Sequence, residues 1–260
     1  MAMIPEGYFA GQVPVSQIAA GLPYTFRSLD EAAFFMWNRG FVDILRKDYA
    51  KQNVYVIPVE TFGVGLMTKK PIKRIEDLRG KKIRSFGSMA EWLRECGAST
   101  VFIPGGELYT ALATGVAEGA HWGDAATMYE MKFQEVLKNY MLPEPILGGW
   151  WSIGINMDLW NKFTSEQRNA IEAATMAAGR IIYRHTRVIY SRAIKDMAKN
   201  WSVQVTTLSK EEQEKAKEYA KKSWERIAKK NPRNAEAIEM IKDFLQEEEV
   251  LAKVPLPWPW

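Results

Sequence analysis

A chain of 260 residues with 47% hydrophobic and 25% charged side chains can bury a sizeable core, as one large domain or two smaller ones. Its net charge of +4 is too mild to demand nucleic acid or an anionic membrane as a partner. The single cysteine, Cys96, excludes an internal disulfide, and no apolar run reaches the roughly 18 residues of a membrane-spanning helix.

The opening MAMIPEGYFAGQVP has neither the basic start nor the apolar core of a secretory leader. It reads as the tail of a strand followed by an aromatic loop, with Tyr8 and Phe9 as candidates to face a cleft. Ser28 and Glu31 form a capping box that opens a helix over 29–52, with Gly40 as a point of bending. Residues 54–59 alternate and are rich in β-branched side chains, which predicts a strand. A second extended piece covers 61–68, where the Gly63 and Gly65 pair is too weak a signal for a nucleotide and marks a close backbone approach or a hinge. The basic stretch 69–84 lacks the interleaved aromatics of a nucleic-acid surface and reads as a solvated loop and turn.

Residues 78–124 carry the organisation of the chain. Strand-length apolar runs at 82–85, 100–103 and 116–122 alternate with two short helices. Ser88 with Glu91 caps the first helix, which runs to Cys96 and stops at Gly97; Pro104-Gly105-Gly106 turns into the second, which starts at Glu107 and closes at Gly115. This alternation predicts a parallel α/β layer, where ligands sit beyond the carboxyl ends of the strands. Two of those ends carry Arg84 and the group His121, Trp122 and Asp124. An arginine fork pairs both oxygens of a carboxylate, and aromatic faces shield the pair from water.

A helix is expected over 125–138, a loop over 140–145, and a strand from Gly148-Gly149-Trp150-Trp151-Ser152 to residue 156. Adjacent tryptophans in a strand point to opposite faces, and Trp151 is the one assigned to the cleft. Thr164 and Gln167 cap a helix over 165–199, which at 1.5 Å per residue is about 50 Å long. Such a helix passes from one lobe to another; Gly179 marks a bend, and His185 belongs to its surface. A strand at 201–208, a helix capped by Ser209 and Glu212 and ended by Asn231-Pro232, a last helix over 234–248 and the polyproline-like tail PLPWPW complete the chain.

Catalytic signatures are sparse. There is no GxSxG elbow, P-loop or dinucleotide fingerprint; His121 and His185 lie 64 residues apart, and Cys96 sits late in a helix where the dipole disfavours a thiolate. An α/β enzyme acting on a small organic acid is the alternative reading, and a turnover assay separates it from a binding protein.

The segments DLRGKKIRSFG, ECGAS and IPGGELYTALATGVAEGAHW resemble, in identity and spacing, the signature region of the DctP-like substrate-binding proteins of TRAP transporters, the tripartite periplasmic carriers of organic acids. The resemblance extends in weaker form from about Gly7 to the C-terminus. It implies a two-lobed, periplasmic-binding-protein-like α/β fold that shuts on its ligand by a hinge. One lobe would hold 1–62 and 150–182, the other 63–149 and 183–260, with the long helix shared. The first lobe is expected to be incomplete, because family members open with a leader and two further strand-helix units.

In that family the arginine of the KIR strand clamps the ligand carboxylate, a role that transfers to Arg84, with Trp122, Trp151, His121, Asp124, Tyr8 and Phe9 as further candidate ligand contacts. The wording PGGELY and HW is closest to the subgroup that binds 2-oxo and 2-hydroxy acids. That subgroup holds a metal ion with a glutamate before the tryptophan and another after GWW; His121 and Ser152 stand at those places here, so no cofactor is expected. The implied partners are a small organic acid and the membrane subunits of a TRAP transporter in the periplasm, with neither nucleic acid nor direct membrane insertion.

Overall fold

Two β-sheets organise the chain, and one 36-residue helix touches both. The computed structural model describes residues 1–251, so the PLPWPW tail with Trp258 and Trp260 lies outside the described residues.

The smaller sheet has the order β1-β8-β2, formed by β1 (Ala2–Pro5), β8 (Ile146–Asn156) and β2 (Val54–Val64), all antiparallel. Its two long strands are 11 residues each and slip register between Pro58 and Glu60 and again between Phe62 and Gly63. The larger sheet has the order β5-β4-β6-β3-β7-β9: β5 (Ser99–Val101), β4 (Lys82–Arg84), β6 (Gly119–His121), β3 (Leu66–Thr68), β7 (Asn139–Leu142) and β9 (Gln204–Thr207). β4 pairs in parallel with both β5 and β6, as the alternation of strand and helix requires, whereas β3 runs antiparallel to β6 and β7.

The helices are α1 (Ser16–Ala19), α2 (Leu29–Asn38), α3 (Phe41–Ala50), α4 (Gly87–Glu95), α5 (Gly105–Ala113), α6 (Ala125–Glu130), α7 (Phe133–Val136), α8 (Met157–Lys162), α9 (Ser165–Asn200), α10 (Lys210–Ala228) and α11 (Pro232–Leu251). None is long and apolar enough to cross a membrane among the described residues. Cys96, just past α4, is 5% exposed and packs in the core; burial and the charges of Glu95 and Glu76 push its thiol pKa up.

Several expected elements take different forms. The helix expected over 29–52 is two helices, because Gly40 adopts φ +80 and breaks the chain between α2 and α3. Phe35 and Phe41 then meet across the break at 5.3 Å. The single helix expected over 125–138 is also divided, with Lys132 at φ +59. Residues 140–142, expected in a loop, belong to strand β7, because β3 and β9 pair with it on either side and bury Tyr140 and Met141 completely.

Of the four expected capping boxes, only Thr164 and Gln167 close reciprocally, at 3.3 and 3.0 Å. Ser28 and Ser209 accept from the right amides, but Glu31 bonds the Arg27 amide and Glu212 reaches the Ile75 amide at 2.7 Å. Ser88 caps nothing: its hydroxyl donates to the Gly21 carbonyl, and Glu91 pairs with Arg94 and Lys230.

The helix α9 is unbroken from Ser165 to Asn200 and at 1.5 Å per residue extends about 54 Å. It packs on β2 of the small sheet, on β9 of the large one and on α6, so one continuous helix touches both sheets. The helix continues through Gly179, and that glycine lies against the backbone of Val59 in β2. His185 is exposed, as a surface position requires.

Candidate functional site

Parallel pairing brings the carboxyl ends of β4, β5 and β6 together, with Arg84 opposite Val101 on one side and Ala120 on the other. Arg84 is 0% exposed. Its Nε donates to the Ile103 carbonyl at 3.0 Å, its Nη1 to the His121 carbonyl at 3.1 Å, and its Nη2 reaches the Tyr8 hydroxyl at 3.5 Å. Aromatic faces enclose the head group: the guanidinium carbon lies 4.8 Å from the centres of Phe86 and Trp122 and 5.8 Å from that of Phe102.

The charge balance is unusual. A guanidinium carries five N–H donors and stays protonated in proteins. Three of the five are used, leaving one on each terminal nitrogen, and among the described residues no carboxylate contacts the group. Burial lowers the Arg84 pKa from its ordinary 12.5, the expected sign for a cation withdrawn from water without a counter-ion. Two unused, coplanar N–H groups between aromatic faces have the chemistry to pair both oxygens of a carboxylate.

His121 lies behind this fork. It is 5% exposed, its ring sits 4.7 Å from Phe86, and Nδ1 is 2.6 Å from the Ser85 hydroxyl. Burial first, and then the positive charge of Arg84, hold its pKa well below the usual histidine value. It is therefore a neutral ring that can exchange a hydrogen bond without adding charge.

The remaining sequence candidates are placed as follows. Trp122 covers Arg84, and Tyr8 packs on Phe86 at 4.7 Å with the rings tilted by 38° and its hydroxyl toward the fork. Asp124 turns away: its Oδ1 accepts from the Thr127 amide and caps α6. Trp151 is 37% exposed and meets Phe62 edge to face at 6.3 Å, while Trp150 is 4% exposed, so the two tryptophans do occupy opposite faces. Phe9 is 38% exposed and is not among the aromatic contacts of Arg84. Ser152 is 0% exposed and bonds Glu6 instead of facing open space.

The family model for DctP, the bacterial extracellular solute-binding proteins of family 7, matches residues 1–231. The chain belongs to the DctP family. Among relatives of this DctP-family chain, the monocarboxylate 2-oxoacid-binding periplasmic protein all3028 of Nostoc is 27% identical over 179 residues, covering 66% of this chain and 48% of the relative. The chain thus spans about half the length of the curated relatives it matches.

Among solved structures, a TRAP periplasmic solute binding protein of Colwellia psychrerythraea with bound calcium and pyruvate superposes with a TM-score of 0.86 at 22% identity, covering 96% of this chain and 76% of that one. One from Rhodoferax ferrireducens with bound malonate gives 0.82 at 22% identity, covering 95% and 78%. At these identities the likeness establishes the two-lobed fold with its long helix.

In this DctP-family chain, sequence reasoning missed three residues packed around Arg84 and His121: Ser85, Phe86 and Phe102. Ser85 ends the predicted strand 82–85 and Phe86 follows it, so the strand that located Arg84 also pointed to these two. Phe102 needed the register that sets Val101 beside Arg84.

It also missed Glu6, a carboxyl 1% exposed whose oxygens meet the hydroxyls of Ser152 and, at 2.7 Å, Tyr49. Burial raises its pKa from 4.5 to about 7, against the opposing pull of those two bonds. A folded value above the unfolded one means stability that is fully present below pH 4.5 and lost as pH rises through about 7. Glu144, raised by burial to about 8, acts in the same direction, whereas His121, held low, removes stability as pH falls below 6.5. Thermal denaturation from pH 4.5 to 8 is therefore expected to show a melting temperature that falls as pH rises, most steeply between 6.5, where the opposing His121 effect ends, and about 7, where the Glu6 effect ends. The Glu6→Gln variant, which keeps the shape and loses the titration, should flatten that fall; an unchanged slope would show that Glu6 titrates normally.

Proposed function

We propose that this chain binds a small organic acid through its carboxylate at Arg84, in the gap between its lobes, and delivers it to the membrane subunits of a periplasmic TRAP transporter. The observation that carries the proposal is a fully buried guanidinium with two open N–H groups and no contacting acid among the described residues. The comparisons support the ligand class: the Nostoc relative is named for monocarboxylate 2-oxoacids, and the two solved structures hold pyruvate and malonate.

In this reading Arg84 forms a bidentate charge-assisted pair with the carboxylate, Trp122, Phe86 and Phe102 exclude water, and neutral His121 or the Ser85 hydroxyl meets a 2-oxo or 2-hydroxy group. Closure moves the lobe of 63–149 and 183–260 against that of 1–62 and 150–182. The strands β2 and β8 and the shared helix α9 flex between them, bringing exposed Trp151 and Phe9 toward the ligand.

The Colwellia structure holds calcium as well as pyruvate. Calcium takes six to eight oxygen ligands, several of them carboxylates. The polar groups beside Arg84 are a serine hydroxyl, an imidazole, a phenol and two carbonyls already bonded to the arginine, and Ser152 is taken up by Glu6. These residues do not fit such an ion, and no step of the binding is routed through one.

A thermal-shift screen of pyruvate, lactate, larger 2-oxo acids and malonate, with and without a chelator, tests the proposal. A ligand at a hundred times its Kd stabilises by about 2.7 kcal/mol, and the shift is expected to survive the chelator. Absence of a saturable shift with any carboxylate, or consumption of the acid on incubation, would reject the binding-protein reading.

A further inference from the structure

A second cavity, of about 360 Å³, lies between the end of β2, the middle of α9 and the start of α6. It shares no lining residue with the aromatic frame of Arg84.

Its polar lining is acidic. Asp124 and Glu144 both line it while remaining 7% and 9% exposed, and the charge of Asp124 adds to burial in raising the Glu144 pKa. Glu144 accepts a short hydrogen bond from Tyr140, and the Tyr190 hydroxyl on α9 lies beside the same carboxyl. The nearest cation of the lining, Arg187, is turned to the Tyr183 hydroxyl at 3.3 Å, and no lysine or arginine contributes to the ionisation of either acid.

The backbone is shaped for this arrangement. A Cβ at Gly63 would overlap the second oxygen of Glu144, and one at Gly65 would lie 2.5 Å from the Tyr140 hydroxyl. Gly63 near the end of β2 and Gly65 just past it thus make room for the Tyr140 and Glu144 side chains. A third acceptor stands ready as well: the Thr61 hydroxyl lines the cavity, is withdrawn from solvent and has no hydrogen-bond partner.

We propose that this cavity binds a small primary ammonium compound, held by the carboxylates of Asp124 and Glu144 and the hydroxyl of Thr61. An ammonium group has three N–H donors to place, matching those three acceptors, and the rings of Phe62, Tyr183 and Tyr190 supply the aromatic wall that organic cations favour. A bare metal ion suits the space poorly, since the cavity far exceeds one ion and no group of three metal-ligating side chains forms among the described residues. The site goes beyond carboxylate capture at Arg84 and does not depend on it. An occupant would lean on β2 and α9, the two elements that link the lobes.

Titration calorimetry of the full chain with n-propylamine, with n-propanol and sodium chloride as controls, tests the assignment at a pH above the Glu144 value of about 8. Saturable heat is expected with the amine alone. Glu144→Gln should weaken it by about tenfold or more, the loss typical of a hydrogen bond to a charged group. Thr61→Val, a milder change that does not disturb the Tyr140 contact, should weaken it several-fold. Arg84→Ala should leave amine binding unchanged. The assignment falls if the amine gives no saturable heat, if n-propanol or sodium binds equally well, if both cavity variants bind like the parent, or if Arg84→Ala abolishes the heat.

Discussion

Replacing Arg84 by methionine is expected to abolish saturable carboxylate binding while moving the melting temperature of the unliganded protein by only a few degrees. The binding loss follows from geometry. Methionine fills the channel between Phe86 and Trp122 but supplies neither charge nor fork, and losing one partner of a buried charged pair costs about 2–5 kcal/mol, a Kd roughly thirtyfold to several thousandfold weaker. The small stability change follows from opposing terms. The unliganded fold carries an uncompensated buried cation, which costs several kcal/mol before its bonds are counted. Removing it relieves that cost, but the carbonyls of Ile103 and His121 lose donors, at about 1–3 kcal/mol each. An Arg84→Lys variant should fall between, because a point charge can serve one carbonyl or one carboxylate oxygen but cannot bridge both. Calorimetry and thermal melts on the same samples decide the matter. Binding within a few-fold of the parent would remove Arg84 from the site; a collapse in melting temperature would make it a structural residue.

This opposition of terms explains how much of the site was legible in the sequence. A strand ending in arginine, followed by a helix and a second strand with its own turn, fixes one side chain at one sheet rim, and Arg84 is found there. Local pattern stops being informative where partners come from elsewhere in the chain. Asp124 stands three residues after His121 and was grouped with it, yet Gly123 turns the chain and the carboxylate caps α6. A carboxylate placed just before a helix is drawn to the free amides of its first turn, a local competition that outweighs sequence proximity to a ligand site. Residues 140–142 fail differently. Nothing in their pattern is strongly strand-like, and they join β7 because β3 and β9 offer edges on both sides. Glu6 was passed over because an isolated glutamate in a loop gives no sign that Tyr49 and Ser152 will close over it.

The long helix is the element that the sequence described best in extent and least well in detail, and it carries the second large expected effect. Gly179→Ala is expected to destabilise the protein. In an exposed helix interior this change adds about 1 kcal/mol of stability, since alanine is the better helix former. Here the sign reverses. Gly179 is one of the few buried positions of α9, and a Cβ there would fall inside the contact radius of the Val59 carbonyl oxygen, an atom fixed in the β2 backbone beside its first register slip. Neither partner is a flexible side-chain end, so the helix must lift from the strand. Overpacking of this kind costs about 3 kcal/mol, which for a chain of this size lowers the melting temperature by roughly 6–10 °C. Gly106→Ala on α5, where the added Cβ meets open space, serves as the control and should leave the melting temperature unchanged or slightly raised. Because α9 also packs on α6 and β9, lifting it from β2 loosens the joint between the two sheets. Carboxylate affinity should then fall with Gly179→Ala although no residue near Arg84 is altered. An alanine variant as stable as the parent would mean that α9 and β2 are free to slide at this point, and that the close approach at Gly179 is not what couples the lobes.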